Sequence, residues 1–142
     1  MTAKEFLEQA YYLDIRIRSN LQELAELRKM VYYLSSASLE QSYNPNHSAN
    51  APFVKGIESI DALEKQIKTE TDGLFKIKED IRTVIGEVKN QDEQMLLRYK
   101  YVHFYSWEKI KEEMHYGHTW VNTLHGRALK SVDTILKNRR TA

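Results

Sequence analysis

Between Ser106 and Asn138 the chain reads SWEKIKEEMHYGHTWVNTLHGRALKSVDTILKN. A hydroxyl residue opens it, as a helix cap does, and Trp107, Ile110 and Met114 recur at the spacing of one helical face. His115, Tyr116 and Gly117 leave room only for a tight turn. From about His118 to Asn138, Val121, Leu124, Ala128, Leu129, Val132 and Leu136 again keep a helical period. A short helix, a three-residue turn and a longer basic helix have the form of a helix-turn-helix. Just upstream, Asn90 followed by Glu93 has capping-box form and predicts another short helix through Met95, Leu96, Leu97 and Tyr101.

The last helix carries the chemistry. If Val121, Leu124 and Ala128 face a core, the helical period turns His118, Thr119, Asn122 and Thr123 outward on its first turns. Side chains of this kind donate and accept hydrogen bonds at base edges in a major groove. Asparagine suits adenine, with about 1–3 kcal/mol of discrimination for a good bidentate pair. Arg127 and Lys130 lie farther along, with Lys137, Arg139 and Arg140 at the tail; these would meet phosphates, which positions a protein without reading sequence. The rival reading is a solvated polar face on an ordinary helix.

Charge is distributed to match. The chain of 142 residues has a net charge of +1, but residues 1–90 hold 12 Lys and Arg against 14 Asp and Glu, while residues 91–142 hold 9 against 6. From Gly117 onward there are five bases and a single acid, Asp133. A phosphate backbone responds to such local concentration, whatever the total.

Toward the amino terminus the texture changes to long heptad seams. Ala10, Leu13, Ile17, Leu24, Leu27, Val31 and Leu34 form one, interrupted by Asn20 and extended by Phe6 and Leu21; no Gly or Pro breaks the helix predicted from Ala3 to Gln41. Ile60, Leu63, Ile67, Leu74, Ile77, Ile81, Val84 and Val88 form a second, interrupted by Glu70, predicting a helix from Val54 to Lys89 in which Gly73 and Gly86 each cost about 1 kcal/mol against alanine. Asn20 and Glu70 are either polar members of the seams or groups exposed at their edges. Between the helices, residues 42–53 are rich in turn formers and lack any period, the signature of a loop. The expected fold is therefore all-α: a long antiparallel helical hairpin over residues 1–89, resembling a coiled coil, followed by a helix-turn-helix domain over 90–142. Tyr11, Tyr12, Tyr32 and Tyr33 flank the seam without cover in a two-helix pair, which predicts a homo-oligomer, dimer or tetramer, through this arm.

Other function classes find little support. No apolar run reaches the roughly 18–20 residues of a membrane span. The opening MTAKEF turns charged at once, unlike a signal peptide, and the chain holds no cysteine, which fits an intracellular protein and removes disulfides, thiolate zinc sites and cysteine nucleophiles. His115 and His118 straddle a turn, His47 lies in the loop, and His103 and His125 are isolated, so no metal ligand set assembles. No phosphate-cradling glycine loop or nucleophile elbow is present, so neither an enzyme nor a cofactor is expected. Glu112 and Glu113 read as a solvated face, and Trp107 and Trp120 as packing anchors, with stacking on unpaired bases as the alternative.

The runs MLLRYKY (95–101), SWEKI (106–110) and WVNTLHGRAL (120–129), LHGRAL above all, resemble region four of bacterial sigma factors. They resemble more closely the small sigma-like regulators of phages and prophages in Gram-positive hosts, the group of the ArpU and RinA late-gene activators. The opening MTAKEFL and the central helical pair share that likeness, so it covers most of the chain. The resemblance implies a cytoplasmic transcription regulator of late genes in a bacterial host. Its partners would be double-stranded DNA and host RNA polymerase, its base readers His118, Thr119, Asn122 and Thr123, and its backbone contact Arg127. Three positions depart from the pattern: His115 and Phe104 stand where glycine is usual, the former implying a strained or shifted turn, and Lys111 where a small residue packs between helices. Two other functions keep the same architecture: a small terminase subunit that recognises DNA for packaging, and a helical adaptor that binds no DNA.

Overall fold

The computed structural model describes residues 1–40 and 50–141. These form five α-helices and no strand: α1 (Ala3–Glu40), α2 (Asn50–Gly86), α3 (Gln91–Leu97), α4 (Trp107–Met114) and α5 (His118–Thr141). A π-helical turn, Arg98–Val102, prolongs α3. None is long and apolar enough to cross a membrane. The all-α expectation holds, with one correction at the loop. Residues 50–53 are helical, because proline at position 52 lies in a first turn, where its missing N–H has no helical partner to lose. The rest of the expected loop, 42–49, lies outside the described residues.

By packing, the chain divides elsewhere than at residue 89. One compact unit comprises residues 1–13 with 74–142, the other residues 14–73. In the second, α1 and α2 run antiparallel, with Ile17, Leu24 and Leu63 buried and Leu27, Val31, Ile60 and Ile67 half-buried. The two seam interruptions meet: Asn20 Nδ2 donates to Glu70 Oε2 at 3.1 Å, and Gln66 donates to the other carboxylate oxygen at 2.8 Å. A Cβ at Gly56 would stand 2.6 Å from a methyl of Val31, so any larger residue there would force the Val31 side chain or the helices to shift. Leu21 takes no part in the seam and is exposed.

The first unit is built on two clusters. Ala3, Leu7 and Ala10 of α1 join Ile81, Val84, Ile85 and Val88, Leu97 and Tyr101, and Ala128 and Val132 of α5. Leu96, Ile110, Val121 and Leu124 form the second, binding α3, α4 and α5 to each other. Helix starts are capped as their sequences require. Thr2 and Glu5 cap α1 reciprocally, each accepting the other's backbone N–H at 3.2 Å. Ser106 accepts the Lys109 N–H for α4, and Asn90 the Glu93 N–H for α3. The Asn90 box closes on one side only, because Glu93 is buried under α5 and its carboxylate accepts from Ser131 instead, at 3.1 Å.

Candidate nucleic-acid interface

Helix α5 is oriented by what it buries. Val121, Leu124, Ala128 and Val132 are all at most 3% exposed, and they fix the opposite side to solvent. His118, Thr119, Asn122, Thr123, Gly126, Arg127, Lys130 and Lys137 are all exposed. The Thr123 hydroxyl donates back to the Thr119 carbonyl at 3.0 Å, leaving its lone pairs outward. Lys130 and Lys137 pair with no acid among the described residues. The four expected base readers and the nearer cations thus share one open strip.

The tail of α5 has other work. Arg139 reaches Glu87 at 2.9 Å and Asp80 at 3.4 Å, and these carboxylates raise its pKa further. Arg140 donates to the Met1 carbonyl at 2.9 Å. Asp133, the single acid of this stretch, accepts the Ala3 N–H at 2.9 Å at the start of α1, where a carboxylate also meets the positive end of the helix dipole. Arg139 and Arg140 lie about 30 Å along the axis from Thr119, far beyond one groove width of about 12 Å. Their partners within the chain fasten α5 to Met1 at the start of α1 and to the carboxylates at the end of α2.

The two tryptophans, expected as packing anchors, are packed on one side and open on the other. Trp107 is 36% and Trp120 38% exposed. The Arg127 guanidinium lies 5.2 Å over the Trp120 ring, which holds it at the edge of the strip, and Tyr116 packs edge-on against that ring. Trp107 packs edge-on to His125 at 4.8 Å, with the Lys100 ammonium 4.6 Å from its ring. Trp107, Glu108, Lys111, His118, Val121 and Asn122 line a cleft of about 280 Å³ between the starts of α4 and α5. Lys111 occupies its wall, tied to Glu108 at 3.0 Å rather than wedged between the helices. Glu108 and Lys111 line the same cleft as Asn122, a neighbourhood that sequence alone does not show. The i, i+3 spacing of a charged pair on α4 could have drawn attention to them, but their place beside α5 could not be read locally.

Among the described residues, two non-glycine residues adopt left-handed backbone, both in this unit: His115, at the end of α4, and Phe104, each with φ 58°. They are the two positions singled out as glycine replacements. The Phe104 ring offsets its strain by packing against Tyr11 at 5.6 Å, with Lys78 over its face at 4.9 Å; His115 is exposed and has no such contact among the described residues. His125 is structural: its Nε2 lies 2.7 Å from the Tyr101 hydroxyl, and burial pushes its pKa down to about 4. Burial likewise raises the Tyr101 pKa, so a neutral phenol faces a neutral imidazole. Among the described residues no group of His, Asp and Glu is placed to hold a metal ion.

Comparison with family models, with curated proteins and with solved structures finds no match to this chain.

Proposed function

We propose that the chain is a sequence-specific DNA-binding regulator of phage or prophage transcription, acting on late genes, which reads a major groove with α5. One observation carries the reading: Thr119, Asn122, Thr123 and Arg127 stand exposed on the first turns of a helix whose opposite side is fully buried, after a three-residue turn from a shorter helix. Base-edge hydrogen-bonding groups at the front and cations just behind are the order that groove reading requires. The left-handed backbone at Phe104 and His115 also supports the resemblance to sigma-like regulators, since a related backbone carrying glycine there would need the same conformation. The protein acts in the cytoplasm of a bacterial host, without enzymatic activity, and recruits host RNA polymerase. It works as a dimer or tetramer, for which the exposed Tyr12, Met30, Tyr32 and Tyr33 of α1 supply apolar surface.

Selection from a pool of random duplexes, followed by footprinting of the enriched site on phage DNA at physiological salt, tests the reading. Asn122→Ala and Arg127→Ala should melt with the parent and bind the site about tenfold more weakly or worse. If both bind it as the parent does, the assigned face is wrong. Mass measurement in solution separates a dimer or tetramer from the closed ring of a terminase subunit.

A further inference from the structure

Gly126 is the residue on the exposed strip that the fold does not explain. It stands in the interior of α5, one turn beyond Asn122 and one turn before Lys130, and it is exposed. Glycine destabilises a helix interior relative to alanine, so its presence calls for a reason. Conformation supplies none, since no glycine among the described residues has positive φ. Packing supplies none either: a Cβ built at Gly126 meets nothing within 4 Å. Gly56 shows what a packing reason looks like, with Val31 at 2.6 Å from the same built atom.

We infer that a sugar–phosphate strand of bound DNA passes against the backbone of α5 at Gly126, too close to admit a methyl group. The inference rests on the reading of α5 as the groove helix and adds a contact to it. Gly126 lies about 10 Å along the axis from Thr119, close to the width of a major groove of about 12 Å, so the strand that walls the groove crosses there. The exposed cations Arg127 and Lys130 lie next to it and one turn beyond it along α5. They supply the charge that would hold the strand, while glycine supplies the room.

The test uses the full chain, a mixed-sequence duplex and the selected site. Gly126→Ala should melt a few degrees above the parent yet bind both duplexes at least about tenfold more weakly, the cost of one misplaced methyl group in a close contact. Gly126→Leu should bind more weakly still. Neither should change the dependence of affinity on salt, because no charge is lost, whereas Arg127→Ala and Lys130→Ala should each lower that slope by about one. If Gly126→Ala binds as the parent does while Arg127→Ala is impaired, this contact is refuted and the groove reading stands. If Gly126→Ala melts below the parent, the glycine serves the fold and the inference fails. If the parent binds neither duplex, both fall together.

Discussion

The hydrogen bond between Asn20 and Glu70 makes the sharpest claim about how the hairpin is held. Removing the amide with Asn20→Ala breaks a 3.1 Å bond to a carboxylate between two half-buried residues. Bonds to charged groups contribute about 1.5–3 kcal/mol when well desolvated, but here Gln66 continues to serve the other oxygen at 2.8 Å, so Glu70 is not left bare. The coupling between the two positions should therefore fall at the low end, about 1–1.5 kcal/mol in a double-mutant cycle with Glu70→Ala. Urea unfolding of the full chain, followed by helical ellipticity because both tryptophans lie in the other compact unit, should show a midpoint shift of about 0.5 M or more for either single variant. Filling the seam with leucine at both positions should raise stability by about 1–2 kcal/mol, since a polar pair gives way to apolar burial. It should also loosen the register of the two helices, because an unpaired polar group no longer penalises a shifted alignment. A coupling below about 0.3 kcal/mol, within the additivity of unrelated sites, would refute the claim that this bond joins the helices.

Three further substitutions probe the unit formed by residues 1–13 and 74–142. Native His125 stays neutral down to about 4, whereas the unfolded ring protonates near the ordinary 6.5. The unfolded state therefore binds more protons in that window, and stability present above pH 6.5 is lost as pH falls toward 4, then levels off. Chemical unfolding of parent and His125→Phe across this range should show a steeper slope in the parent; equal slopes would contradict the burial assigned to the imidazole. His115→Gly should stabilise the protein by about 1 kcal/mol, raising the melting temperature by about 2–4 °C, because an exposed residue is relieved of left-handed backbone. Phe104→Gly should do the opposite despite the same φ, since it discards a ring packed between Tyr11 and Lys78. A calorimetric scan in which the two variants moved in the same direction would show that backbone strain and packing have been wrongly apportioned.

Long periodic patterns and local caps were the legible part of this fold. The two seams could be read because a heptad sustained over many turns has no competing interpretation, and α3 and α4 because Asn90 and Ser106 satisfy donors only three residues away. What was misread depended on distant groups. Helix α2 ends at Gly86 rather than Lys89, and Gln94 of α3 donates to the Ile85 and Gly86 carbonyls at 3.2 and 3.3 Å, a cap delivered from another helix. Ala3 and Leu7, outside the seam as read, are buried because the first turns of α1 pack with α5 and the end of α2. The partners of Asp133, Arg139 and Arg140 lie more than fifty residues away in sequence, so no window around them could show that these charges are engaged. The outward residues of α5 were legible for the converse reason: they touch little, and the helical period alone places them.

That division sharpens the electrostatic argument. Counted along the sequence, the basic excess is greatest at the very end of the chain, which would draw a phosphate backbone to residues 137–140. In the folded protein Arg139 faces two carboxylates and Arg140 a backbone carbonyl, so the tail presents less positive potential than its composition suggests. The open cations are Arg127, Lys130 and Lys137. The first two lie within about 12 Å of Asn122 along the axis, the reach of a single groove. Charge pairing at the tail thus serves placement twice. It anchors the far end of α5 to the starts and ends of the long helices, and it leaves the nearest unneutralised charge beside the hydrogen-bonding groups. A helix with all five cations free would attract DNA along its whole length and in many orientations. Under the proposed groove reading, this one would favour the orientation in which Thr119, Asn122 and Thr123 face the base pairs.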